Sequence, residues 1–276
     1  MSALKYVNKL QGKRVLVIGG SSGVGFCVAE AALEHGAQVI ISSSNQAKLD
    51  KAVSRLSEHI KAANLGDADK LLSSKTCDLG NPDTIDESVV QLLEFATKDG
   101  KLDHVVHTAG DALNTTSLKE ITVKDINALS QVRNNGAIII AKHLEKYINQ
   151  SVQSSFTLTG GTNTWRPLPN WSIIAASGGA TEALARGLAV DIRPVRCNCV
   201  QLGAVETELF DMIPKEHREA VLDSFRKEAI TGTIASPQEV AEAYVYSMKD
   251  TFATAAIIGT HGGRLVGDSK SPVGFA

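Results

Sequence analysis

The 276-residue chain is predicted to fold as an α/β domain in which strands alternate with helices, and three observations carry that expectation. A short apolar run, Val15 to Ile18, breaks directly into glycines and serines and then into a helix-forming stretch. The same alternation of apolar strand and helical segment recurs to the end of the chain. A hydrophobic content of 43% over this length supplies one large core and does not force a second domain.

The first unit is the stretch Lys13 to Phe26, KRVLVIGGSSGVGF, which reads as strand, glycine turn and helix. Gly19 allows the tight turn, Gly23 lets the backbone approach a pyrophosphate, and Gly25 lets the helix pack on the strand. Ser21, Ser22 and Val24 complete the turn, whose free N–H groups at the helix start face the anion. The arrangement is a dinucleotide-phosphate cradle. Val24, Val28 and Ala32 repeat every four residues along the helix, Gly36 ends it, and Gln38 to Ile41 forms the second strand. At that strand's end an NAD site would place an acid for the ribose 2′-hydroxyl. Ser42, Ser43, Ser44 and Asn45 stand there instead, with Lys48 one helical turn on, a set that holds a 2′-phosphate without repelling it. NADP(H) is therefore the expected cofactor. Asn45 reads equally as the N-cap of the helix 45–62.

Residues 71–77 read as a third strand, after which Asp78 and Leu79 lie where the adenine is met. Asn81-Pro82 is expected to start the next helix. Leu102 to Thr108 gives a fourth strand ending in Ala109-Gly110, a second small-residue opening at the carboxyl end of a strand, where ligands of open α/β sheets sit. Residues 123–149 form one or two helices, Phe156 to Thr159 a fifth strand, 171–193 a long helix and Arg196 to Leu202 a sixth strand. Segment 204–234 is helical and polar, 237–249 is helical, and Ala255 to Ile258 is a last strand before Gly262-Gly263.

A formal charge of −2 leaves no basic footprint for nucleic acid. No apolar run approaches the roughly 18 residues of a membrane span, and the first residues lack the apolar stretch of a signal peptide. A soluble, cytoplasmic protein is expected. Cys27, Cys77, Cys197 and Cys199 include no C-x-x-C pair and read as buried free thiols, with no metal site.

Taken in order, Gly19 to Gly25, Asp78, the HTAG run His107 to Gly110, Arg196 to Gly203 and the closing glycine pair closely resemble the short-chain dehydrogenases/reductases over nearly the whole chain. The resemblance implies a doubly wound, seven-stranded parallel sheet of Rossmann type with helices on both faces. It also implies a nicotinamide cofactor across the strand ends and a homodimer or homotetramer built on the two long helices. It puts Gly203, Val205 and Thr207 near the nicotinamide carboxamide, although Leu202 stands where the family usually has proline.

The family's chemistry normally rests on a tyrosine with a lysine four residues later, whose ammonium lowers the phenol's pKa. Here the residues four after Tyr6, Tyr147, Tyr244 and Tyr246 are Leu10, Ser151, Met248 and Asp250. Alignment of the long helix puts Ile174 at the tyrosine and Gly178 at the lysine. Gly160-Gly161 replaces the usual serine and Arg133 the usual asparagine. Hydride delivered to a carbonyl makes an alkoxide that needs an acid or an oxyanion clamp, whereas hydride delivered to an iminium gives a neutral amine. Loss of the relay therefore points to a bulky, apolar, pre-charged small-molecule substrate. Gly178 and Gly179 each cost a helix about 0.5–1 kcal/mol relative to alanine, which implies that space beside them is being kept open.

Arg133 then serves to bind the cofactor's ribose or phosphate or to orient a substrate carbonyl, unless it forms a surface salt bridge. Trp171 and Trp165, which flank a proline-rich loop, stack on a flat ligand or pack in the core. His107 and Asp111 are the candidate acids, although a histidine at a strand end is more often simply satisfied there. Segment 204–234, with Leu209, Phe210, Met212 and Ile213 clustered, is a lid or an oligomer contact.

The missing relay, Arg133 and the loop TNTWRPLPNW resemble the fungal reductases of bicyclic prenylated indole alkaloid pathways, the malbrancheamide and paraherquamide type. That resemblance implies NADPH reduction of an iminium-like intermediate and a Diels-Alderase activity in the same pocket. The loop departs from the pattern in having no Asp or Glu between Thr162 and Trp171. A carbonyl reductase with a non-tyrosine acid and a non-catalytic NADP(H)-binding regulator remain as alternatives.

Overall fold

Seven parallel strands in the order β3-β2-β1-β4-β5-β6-β7 form the centre of a computed structural model, which describes residues 5–110 and 117–270. The strands are β1 (Arg14–Ile18), β2 (Gln38–Ser43), β3 (Leu72–Thr76), β4 (His104–His107), β5 (Ser155–Gly161), β6 (Arg196–Leu202) and β7 (Ile257–Thr260). The helices are α1 (Gly23–Glu34), α2 (Gln46–Ala62), α3 (Ala68–Leu71), α4 (Ile85–Ala96), α5 (Val123–Ser130), α6 (Gly136–Tyr147), α7 (Ser172–Asp191), α8 (Lys215–Glu228) and α9 (Pro237–Lys249).

Strand alternation divides the apolar residues between two cores. Leu16, Ile18, Val105, Phe156 and Leu158 pack on one face with residues of α4, α6 and α7, while Val15, Val17, Val39, Ile41 and Val106 pack on the other with residues of α1, α2 and α9. Both faces are covered, so the strands read as continuous apolar runs. Each fully buried aliphatic or aromatic side chain contributes about 1.5–3 kcal/mol. All four cysteines are free and buried, and burial raises the thiols of Cys27 to about 11 and of Cys77 and Cys199 to about 12.

Several boundaries move from their expected places for local reasons. The Asn81 carboxamide accepts from the Asp83 amide at 3.0 Å, which makes a turn of Asn81-Pro82, and the helix starts only after Thr84. Ala255 takes φ +57, which delays the last strand to Ile257. Asn45 does cap α2, accepting from the Lys48 amide at 2.9 Å. Segment 204–234 is only partly helical, with a 3-10 turn at Glu208–Met212 and then α8. Between α5 and α6 the chain runs through a π-helical turn, Gln131–Asn135.

The sheet order reverses between β1 and β4, which opens a crevice at the carboxyl ends of the strands. The candidate site lies there.

Candidate cofactor and substrate cavity

A cavity of about 1030 Å³ runs along the carboxyl ends of the strands, from the glycine turn to the α8 segment. Gly19 adopts φ +91 and Gly23 φ +52, values that the turn after β1 requires and that favour glycine. A Cβ on Gly25 would lie 2.3 Å from the Gly19 carbonyl oxygen and 2.3 Å from Thr108 Oγ1, so α1 rests directly on the turn. Ser22 precedes the helix without a side-chain cap, and the first turn of α1 contains no acid. Its amides are thus aimed at the cavity wall formed by Ser21, Ser22, Gly23, Val24 and Gly25.

Ser43, Ser44, Asn45 and Lys48 line the next section, with Ser21 Oγ donating to Ser43 Oγ at 3.0 Å. The acids in the lining, among the described residues, are Asp78 and Glu208. Neither belongs to β2 or its following turn, so a 2′-phosphate there meets hydroxyls, an amide and an ammonium. Asp78 is held by the Gly80 amide at 2.8 Å and shares the wall with Leu79. Ala109 and Gly110 close β4, and Gly203, Val205 and Thr207 follow β6 along the same cavity. Leu202, in place of proline, remains the last residue of β6, paired with Thr260. These residues fit a nicotinamide dinucleotide phosphate.

The π turn gives Arg133 and Asn134 different surroundings. Asn134 is buried and reaches α7, donating to Ser177 Oγ at 3.1 Å and accepting from Thr181 Oγ1 at 2.7 Å. Arg133 lines the cavity and donates through Nη1 to the Thr159 carbonyl at 2.9 Å. A Cβ on Gly110 would stand 2.1 Å from Arg133 Nη2, so the guanidinium lies across the end of β4. Such π turns concentrate at functional sites because the extra residue re-aims its neighbours.

Trp171, Ile174 and Gly178 line the same cavity as Arg133. The explanation of Gly178 changes, however. A Cβ there would come within 2.3 Å of Thr164 Oγ1, so the glycine makes room for a threonine of the preceding loop. Phe210 and Phe225 meet edge to face with centroids 5.8 Å apart, and together with Leu209, Ile213 and Val221 they give the 204–234 segment an apolar side on the cavity.

Two expected site residues fall elsewhere. His107 is buried behind the cavity wall, with Nε2 donating to the Val132 carbonyl at 3.1 Å. Burial, reinforced by the Arg133 charge, lowers its pKa to about 4 and favours the neutral ring. Trp165 is 68% exposed, and its indole N–H donates to Glu182 at 3.0 Å, a carboxylate also held by Gln201 at 2.6 Å. It is a surface ring, not a cavity wall. Asp111 lies outside the described residues.

Arg264 was missed by sequence reasoning, although it directly follows the closing glycine pair. It is 4% exposed and lines the cavity, with Nε on Glu228 at 2.7 Å and Nη1 on Thr162 Oγ1 at 3.1 Å. A lone arginine 102 residues from Thr162 gives no periodic signal.

Comparison with known proteins agrees with this geometry. Residues 6–266 match the family described as the SDR-like Rossmann domain. The chain is 40% identical over 257 residues to the short-chain dehydrogenase/reductase malC of Malbranchea aurantiaca, covering 93% of this chain and 96% of that protein. It is also 40% identical over 264 residues to the short-chain dehydrogenase/reductase fsr5 of Gibberella fujikuroi, covering 95% of this chain and 98% of that protein. The solved structure of the MalC reductase/Diels-Alderase of M. aurantiaca superposes with a TM-score of 0.89 at 39% identity, covering 95% of this chain and 100% of that one. A small-chain dehydrogenase solved in complex with NADPH shares the fold, with a TM-score of 0.72 at 21% identity. With its cradle, sheet order and matched length on one footing, the chain belongs to the short-chain dehydrogenase/reductase family.

Proposed function

We propose that the protein is an NADPH-dependent reductase of a bulky, iminium-like indole alkaloid intermediate in secondary-metabolite biosynthesis. One observation carries this reading. The nucleotide half of the cavity is complete, while the lining beyond it contains, among the described residues, no tyrosine, and its lysine is Lys48 at the ribose end. Bound NADPH supplies a hydride. The backbone amides at the start of α1 hold its pyrophosphate, Lys48 and the Ser43 to Asn45 turn hold its 2′-phosphate, and Arg133 sits where the reacting groups meet. Trp171, Ile174 and the apolar side of α8 exclude water and grip a large apolar ligand. An iminium arrives charged and leaves as an amine, so no side chain has to deliver a proton.

Similarity to the malC protein supports a second step, an intramolecular Diels-Alder cycloaddition of the reduced product in the same cavity. With no acid between Thr162 and Trp171, that step rests on shape, by holding diene and dienophile at reacting distance. Assembly is read as a homodimer or homotetramer on α6 and α7, where Ile138 and Val190 are exposed. The free thiols fit a reducing, cytoplasmic setting.

Incubation of the protein with NADPH and a cyclic iminium of the dihydro-β-carboline type tests the reading. NADPH oxidation matched by amine formation is the expected result. Tight NADP(H) binding without turnover of any such iminium would instead point to a regulatory cofactor-binding protein.

A further inference from the structure

Where the cavity wall meets the end of α8 lies a polar feature that the reduction of an iminium does not use. Arg264 is held there by two side-chain contacts and one to its backbone. Its Nε meets Glu228 Oε2 at 2.7 Å, its Nη1 meets Thr162 Oγ1 at 3.1 Å, and its own carbonyl accepts from Arg166 Nη1 at 2.7 Å. Glu228 is the last residue of α8 and Thr162 directly follows β5, so two separate segments fix the guanidinium of a residue that follows β7. Among the described residues Nη2 has no protein partner, although the side chain is 4% exposed and belongs to the cavity wall. That donor belongs to the cavity wall, where it is open to an acceptor on a ligand.

Charge balance identifies the acceptor. Glu228 already neutralises the guanidinium, and its side chain is only 17% exposed. A ligand carboxylate brought to Nη2 would also face the Glu228 carboxylate and lose most of the attraction. A neutral carbonyl oxygen accepts the hydrogen bond without adding a second negative charge. The donor is rigidly placed, so little side-chain entropy is lost on binding.

We propose that Arg264 is a substrate-recognition residue that donates through Nη2 to the carbonyl of a neutral amide or lactam on the ligand. The inference deepens the reading of this cavity as the substrate site of a reductase. It defines a two-point substrate, with an iminium-like carbon near Arg133 and a neutral amide carbonyl at the α8 end.

The test measures binding and not turnover, so its outcome is separate from whether an iminium is reduced. Indole-3-acetamide, indole-3-acetate and 3-ethylindole are titrated into the NADP-loaded protein by ligand-observed NMR. The acetamide is expected to bind about tenfold more tightly than 3-ethylindole, and indole-3-acetate no better than 3-ethylindole. Arg264→Met should abolish the preference for the amide, whereas loss of a merely structural contact weakens all three ligands in proportion. Glu228→Gln leaves Arg264 in place and is expected to raise indole-3-acetate affinity by about tenfold while changing the amide by less than threefold. An amide preference that survives Arg264→Met would overturn the proposal. So would a wild-type preference for the carboxylate, or an unchanged acetate affinity in Glu228→Gln.

Discussion

Gly110→Ala is a sharp probe of Arg133, because it moves the guanidinium without altering its chemistry. Gly110 is not among the positive-φ glycines, so alanine introduces no backbone strain there. The new methyl would lie 2.1 Å from Arg133 Nη2 and 2.9 Å from Cζ, and the flexible guanidinium is the part that yields. Its hydrogen bond to the Thr159 carbonyl, 2.9 Å long, is then lost. A bond from a charged donor is worth about 1.5–3 kcal/mol, so kcat/KM for a cyclic iminium should fall roughly ten- to hundredfold if Arg133 acts in the transition state. Steady-state kinetics on Gly110→Ala, Arg133→Met and the double variant form the assay. If the methyl acts through Arg133, adding it to Arg133→Met should change the rate by less than about threefold. A further tenfold loss in the double variant would refute the reasoning.

Other expected outcomes follow from single contacts. Gly25→Ala puts a methyl 2.3 Å from the Gly19 carbonyl oxygen, which cannot swing aside, so NADPH affinity measured by fluorescence should fall at least about tenfold and Tm should drop with it. Gly178→Ala should destabilise by about 1–3 kcal/mol through Thr164 Oγ1, and Thr164→Ala should restore most of the loss in a thermal melt; failure of that rescue would contradict the packing. Lys48→Ala should lower the ratio of NADPH to NADH kcat/KM by about tenfold, and an unchanged ratio would remove Lys48 from the phosphate site. The folded pKa of His107, about 4, lies below the ordinary value of 6.5, so the unfolded chain takes up the proton first as pH falls. Stability should therefore be full above pH 6.5 and decline toward pH 4, by at most about 1.4 kcal/mol per pH unit for each such histidine. His104, lowered to about 3, acts in the same direction. A Tm that is flat over this window would contradict the burial of both rings.

The parts of this molecule that were legible in the sequence are those set by local chemistry. Strand β6 and helix α9 begin and end where the residues place them, because an apolar run and a Ser-Pro-x-Glu cap mark them clearly. The glycine turn was legible for the same reason. The π turn was not, since one extra residue between α5 and α6 changes which side chain meets the cavity without disturbing composition. His107 looked available at a strand end, but its burial comes from the Val132 carbonyl on a helix 25 residues later. The closeness of Gly178 to Thr164 depends on a loop with no regular pattern and leaves no local signal. Arg264 depends on Glu228 and Thr162, and only the sheet order brings those three together.

The central claim is that the substrate supplies its own positive charge and the protein supplies no proton. It is tested most directly by the rate of reduction of an N-methylated cyclic iminium, whose charge is permanent, as a function of pH at saturating NADPH. The account predicts turnover that is level between about pH 6 and 9, with the matching ketone left unreduced. A rate that follows the protonation of a group on the enzyme, or a ketone reduced as fast as the iminium, would contradict it.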